Sequence, residues 1–215
     1  PSGGAASPPR VAVLDGAAAD AQPGVRENYE ASLATLREFA TVETVELPDY
    51  PYEAAARTVI AAEAAAAFDD LVESGATEEL TAPADRIGAY ANGAVLAKDY
   101  LHAMRIRRRV GRALDGLLEP FDALVAPSAG TVAVPVDTPF AEYREPYETP
   151  PVGAAANLAG LPAVAVPNGF GERDCPTGVT FTGRAYDDRA VLDVARAYES
   201  RTDHVSYADL LGRFR

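Results

Sequence analysis

The side chains in this sequence whose chemistry reaches beyond packing are few: one cysteine, one lysine, two histidines and a cluster of arginines. A Ser-His-Asp relay needs an imidazole within hydrogen-bond reach of a serine hydroxyl. His102 falls in a helical pattern and His204 in the tail, and neither is set in the strand-turn-helix context of a nucleophile elbow. Cys175 sits in a turn between Asp174 and Pro176 and, with no basic partner expected near it, reads as a free thiol rather than a nucleophile. Lys98, the only lysine, stands beside Asp99 in a helical pattern, so it reads as an ordinary charged lysine and not as a base of lowered pKa. No Gly-x-Gly-x-x-Gly follows a strand and no phosphate loop ends in Gly-Lys-Ser/Thr, which leaves nucleotide binding without an anchor. One cysteine and two distant histidines argue against a metal centre. No catalytic residue, no metal and no cofactor is therefore assigned to this chain.

Two charged features need a reason. Arg105, Arg107, Arg108, Arg109 and Arg112 spread around a helix instead of converging, the pattern of a solvated or acid-paired face. Glu63 lies near an apolar helix stripe, where a carboxylate must be paired, hydrated or functional, and an arginine partner at a boundary position is the expectation. Asn157 follows Ala154 to Ala156, and its amide is expected to tie the loop backbone to a neighbouring strand.

The elements that position these groups can be read from periodicity. Arg10 to Leu14 is a β-branched run, Pro23 opens an amphipathic helix through Val25, Tyr29, Leu33 and Leu36, and Thr41 to Leu47 is a second strand: a βαβ unit. Alanine-rich sequence from Tyr52 to Ser74 predicts one long helix ending at Gly75. A mixed segment through Pro83 leads to a further helix striped by Leu96, Tyr100, Ala103, Ile106, Val110 and Leu114. Phe121 to Ala126 predicts a strand closed by Pro127, and the Pro/Thr-rich Thr131 to Tyr147 an ordered loop. A short helix within Gly153 to Gly160, strands at Ala163 to Val166 and Gly178 to Gly183, and a last helix capped by Asp187 or Asp188 complete an α/β pattern.

Composition narrows the function. The 215 residues carry 19 Lys+Arg against 32 Asp+Glu, a net charge of −13, which argues against a nucleic-acid-binding module. With 48% hydrophobic and 24% charged residues the chain can bury a core. No run approaches the roughly 18–20 apolar residues of a spanning helix, so no membrane partner is expected. Residues 1–9 are rich in Pro, Gly, Ala and Ser, and read as a linker or severed loop rather than a signal peptide. A lone cysteine suits a reducing compartment, and the cytoplasm is the expected location.

The specific signal lies in three ordered motifs: Phe121 to Ser128 (FDALVAPS), Asn157 to Pro167 (NLAGLPAVAVP) and Gly178 to Arg184 (GVTFTGR). Together they resemble the C-terminal half of amidase-signature enzymes, hydrolases and amidotransferase subunits acting on carboxamides. The similarity extends forward through Asp188 to Tyr198 and backward through Asp99 to Leu101 and Ile60 to Ala64. The resemblance implies a mixed β-sheet flanked by helices, with residues 10–215 as its C-terminal portion. It also implies a Ser-Ser-Lys triad on an N-terminal Gly/Ser-rich stretch, to which nothing here corresponds; Pro1 to Gly4 is a poor echo of it. The expected partners are thus a small-molecule amide substrate and a missing N-terminal catalytic segment. An uncovered docking face would also favour a homo-oligomer.

By position in the matching motifs, Ser128, Ala129, Gly130 and Thr131 are expected to face the substrate, with Tyr147 as a pocket wall on the loop covering it. Asp174 to Thr177 (DCPT) stands where Gly-Leu-Pro-Val is typical of the family. No acidic residue directly precedes the Ala154 to Asn157 segment, which favours a small-molecule amidase over a glutaminyl-tRNA amidotransferase. The alternative is a non-catalytic interaction protein, or the partner of a separately encoded catalytic half.

Overall fold

The computed structural model describes residues 7–148 and 150–204, apart from the side chains of Ala84, Asp85 and Ala89. Most of the 1–9 linker and the end of the 10–215 unit lie outside the described residues. The centre of the fold is built by two strands with no polar side chain, β1 (Arg10–Leu14) after its first residue and β3 (Ala123–Pro127) throughout. Residues buried on both faces of a sheet must be apolar throughout, which is why these runs do not alternate. β2 (Thr41–Val45) pairs parallel to β1, reached through helix α1 (Pro23–Arg37), and this is the expected βαβ unit. β3 is parallel to β1 and antiparallel to β5 (Pro176–Thr182), which pairs antiparallel with β4 (Ala163–Phe170). The mixed five-stranded sheet runs β2-β1-β3-β5-β4.

Strand β5 shows how the faces divide. Side chains alternate along a strand, so Val179 and Phe181, both fully buried, share one face, while Thr180 and Thr182 share the other. On the first face Phe181 packs 5.7 Å, centroid to centroid, from Tyr198 of helix α8 (Asp188–Glu199). A buried polar relay crosses the same region. Asn28 of α1 donates to Thr177, Thr177 donates to Asn168 of β4, and Asn168 donates to Ser32, which shares a hydrogen bond with the Tyr198 hydroxyl. Each of these side chains has a partner, the condition for carrying polar atoms in a core.

A second cluster joins helices α2 (Tyr52–Ala67), α5 (Ala97–Leu118) and α7 (Val152–Ala159) through Val59, Ala103, Val110, Leu114, Ala155 and Leu158. Arg107 binds this layer by donating from Nε to the carbonyl of Leu158, at the C-terminal turn of α7, where a cation is favoured.

Several boundaries differ from the periodicity. The helix expected to run from Tyr52 to Ser74 breaks at Phe68 and restarts as α3 (Asp69–Glu73). Two acids at Asp69 and Asp70 favour a new helix N-terminus there, and the apolar Ile60 and Phe68 are exposed at 61% and 58%. Gly75 is left-handed, as a chain reversal after a helix requires. The mixed segment contains α4 (Pro83–Asn92), signalled by Pro83 in its first turn. The expected loop holds a short helix, α6 (Phe140–Arg144), started by Pro139. Asp187 occupies the cap position of α8, but its side chain makes no capping bond.

Candidate substrate cleft

At the end of β3 the chain leaves the sheet at Ser128, whose N–H donates to the carbonyl of Gly178 on β5 at 2.9 Å. The Ser128 hydroxyl lies 2.7 Å from that of Thr180, on the threonine face of β5. That face does not carry α8. Instead α7 stands over it, and a cleft of about 290 Å3 opens between them. Ser128, Ala129, Thr180 and Asn157 line it on the sheet and α7 sides, and Glu53 and Arg144 close it from α2 and α6.

The geometry sorts the expected site residues. Ser128 and Ala129 lie on the cleft wall. Gly130 and Thr131 are buried beside it and do not line it: the Gly130 carbonyl accepts the backbone N–H of Gln22 at 2.8 Å. Tyr147 is half-buried and lines an adjoining hollow that shares Glu53, Arg144 and Pro151 with the cleft. Asn157 is exposed to the cleft, and among the described residues its side chain bonds no strand, so the tying role expected for it is corrected. On α7, Ala155 and Ala156 are buried, while Asn157 is exposed and lines the cleft.

Other candidates resolve differently. Among the described residues the hydroxyl partner of Ser128 is Thr180 and not a base. Lys98 and His102 are exposed on α5. Glu63 is exposed and makes no ion pair among the described residues; it borders a small cavity of about 130 Å3 with Arg107, Asn157 and Leu158, a boundary position with an arginine nearby. Arg105, Arg108, Arg109 and Arg112 form the exposed face expected of them. Cys175 is a free, half-buried thiol, but the expectation that it lacks a basic neighbour does not hold. Arg173 lies beside it, turned back by left-handed backbone at Arg173 and Asp174. Among the described residues no group of three or more His, Cys, Asp or Glu could hold a metal ion, and no helix is long and apolar enough to cross a membrane.

The loop that carries the cleft's outer wall is anchored by residues the periodicity did not single out. Gln22, 3% exposed, accepts the N–H of Val132 at 2.9 Å through Oε1 and donates to the Tyr143 hydroxyl at 3.0 Å through Nε2. Arg173 donates to the same hydroxyl at 2.6 Å and stacks 5.2 Å over its ring, which raises the guanidinium pKa further above its ordinary value. Tyr143 therefore fastens the loop, leaving Tyr147 facing the hollow. The cleft threonines were legible in the sequence, since the alternation of Val179-Thr180-Phe181-Thr182 assigns them a common face.

The family model for amidases matches residues 1–192. A glutamyl-tRNA(Gln) amidotransferase subunit of Thermotoga maritima is 32% identical over 211 residues, covering 86% of this chain and 43% of the relative. Among solved structures, the peptide amidase of Stenotrophomonas maltophilia superposes with a TM-score of 0.70 at 27% identity, over 90% of this chain and 43% of that one. Another crystal structure, of an amidase, gives a TM-score of 0.77 at 25% identity, over 92% and 46%. The chain spans less than half the length of the relatives it matches. With the Amidase model covering most of the sequence, and with the mixed sheet and its motifs in place, the chain belongs to the amidase-signature family.

Proposed function

We propose that this chain forms the substrate-binding side of an amide hydrolase, with the Ser-Ser-Lys triad, one serine of which attacks the carbonyl carbon, lying outside these 215 residues. The observation that carries the reading is the cleft at the end of β3, polar at Ser128, Thr180 and Asn157 and small-walled at Ala129, Ala154 and Ala156. Hydroxyls and a side-chain amide in such a wall can donate to and accept from a carboxamide. They orient the bond to be broken; water's oxygen ends on the acyl carbon and the nitrogen leaves protonated. Without a base near Ser128, the chain by itself orients but does not cleave.

The names of the curated relatives favour a second reading, as part of an amidotransferase. The net charge of −13 makes direct contact between this chain and tRNA unfavourable, so in that reading nucleic acid is held by a different polypeptide. The cytoplasm is the location we propose for either. The test is ammonia release from a carboxamide panel by the complete protein that carries this chain, beside the 215-residue chain alone. Turnover by the complete protein only supports the reading. Turnover by neither, with a partner captured stoichiometrically, would instead make this an interaction protein.

A further inference from the structure

Beside the cleft the surface changes character. The adjoining hollow, about 520 Å3, is lined by Tyr50, Tyr52 and Tyr147 together with Glu53 and Glu148. Tyr50 and Tyr52 meet edge to face, 6.0 Å between centroids, and Tyr52 is 4% exposed. A second hollow of about 480 Å3 shares Tyr50, Tyr52 and Pro151 with the first and adds Asp15, Glu46 and Asp49 with no basic residue. The two hollows together carry five carboxylates and one guanidinium, that of Arg144 in the first, which stacks 5.1 Å over Phe140 and forms no ion pair among the described residues. Among the described residues Glu53 is paired with Arg57 alone, at 3.5 Å between two well-exposed side chains, a contact too solvated to hold it. Burial, and after it Tyr50 and Asp49, push the Tyr52 hydroxyl pKa up.

Aromatic faces with carboxylates at the rim attract organic cations, by the ring quadrupole and by focusing of the acidic potential in a concave wall. We propose that the Tyr50, Tyr147, Glu53 and Glu148 hollow binds an alkylammonium substituent of the substrate, whose amide lies in the cleft next to it. The substrate class is therefore a cationic carboxamide. This rests on the amide-hydrolase reading for the amide end, and on the hollow alone for the cation.

Two measurements on the complete protein separate the parts. Calorimetric binding of choline is compared with binding of 3,3-dimethylbutanol, its uncharged isostere, and kcat/KM for 4-(trimethylammonio)butyramide with that for 5,5-dimethylhexanamide. The charged member of each pair is favoured about tenfold, the scale of one partly desolvated cation-π contact. The preference collapses in the Glu53→Gln, Glu148→Gln double variant. Arg144→Gln removes the one opposing charge and tightens choline about threefold, a screened surface interaction; if it weakens choline, the site is built for an anion and the proposal is wrong. Equal binding of choline and its isostere overturns the proposal, as does a preference that survives the double variant. Choline selectivity without hydrolysis of either amide keeps the cation site and removes the amidase reading. Hydrolysis of both amides at equal rates does the reverse.

Discussion

Replacing Gln22 by alanine tests whether the cleft's outer wall is held by one buried amide. The change strips the acceptor from the N–H of Val132, a residue only 3% exposed, and removes one of two donors to the Tyr143 hydroxyl. An orphaned buried donor costs about 1–3 kcal/mol, and with the volume lost the sum is about 2–4 kcal/mol. For a domain of this size that is a fall in Tm of about 4–15 °C. Gln22→Glu discriminates the cause. Its carboxylate still accepts from Val132, and the Tyr143 hydroxyl, which accepts from Arg173, is free to donate its own hydrogen to it. The loss with Gln22→Glu is therefore less than half that of the alanine variant. Thermal melts give the sizes, and amide exchange at Val132 shows where the opening occurs. In the complete protein the alanine variant raises KM more than it lowers kcat, since the wall binds and does not react. An alanine variant within about 0.5 kcal/mol of the parent, or equal losses for both substitutions, refutes the anchoring argument.

Gly178→Ala places a Cβ 3.0 Å from the Ser128 hydroxyl and 3.2 Å from the Val166 carbonyl, so Ser128 shifts away from Thr180; KM for a carboxamide rises with little change in Tm. Gly160 ends α7 in the left-handed region at φ 72°, so Gly160→Ala lowers stability by about 1–2 kcal/mol and Gly160→Asn by less, measured by urea melts. Burial raises the hydroxyl pKa values of Tyr29, Tyr52 and Tyr198 above the ordinary 10.0. Because the fold holds them neutral, their contribution is full below pH 10 and is lost as pH climbs from there through the folded-state values. Melts across that range fall more gently for Tyr198→Phe than for the parent, and an unchanged slope would remove that tyrosine from the account.

The strands were legible where burial is two-sided or alternation clean, as at Val11 to Leu14, Ala123 to Ala126 and Val179 to Thr182. So was the βαβ unit, because Pro23 and the three-and-four spacing that follows it leave little else. What failed was local: alanine favours helix everywhere between residues 52 and 74, so nothing in propensity marks the break that Asp69 and Asp70 allow. Ser128 and Ala129 lie on the cleft wall as motif position suggested, whereas Gly130 and Thr131, next in sequence, are buried, and the Gly130 carbonyl accepts from the Gln22 N–H. Glu53 and Arg144 could not be found by spacing. They reach the cleft from α2 and α6, 91 residues apart in the chain, so their meeting on one wall is a product of the tertiary fold and not of spacing.

The central claim, that this chain binds and orients an amide that residues elsewhere cleave, is tested most directly by ammonia release from simple carboxamides under matched conditions. Turnover is expected from the complete protein and none above buffer from the 215-residue chain, and a Ser128→Ala variant of the complete protein keeps kcat within about threefold while KM rises, as loss of a neutral hydrogen-bonding wall requires. Turnover by the chain alone that Ser128→Ala abolishes would make Ser128 the nucleophile and contradict it.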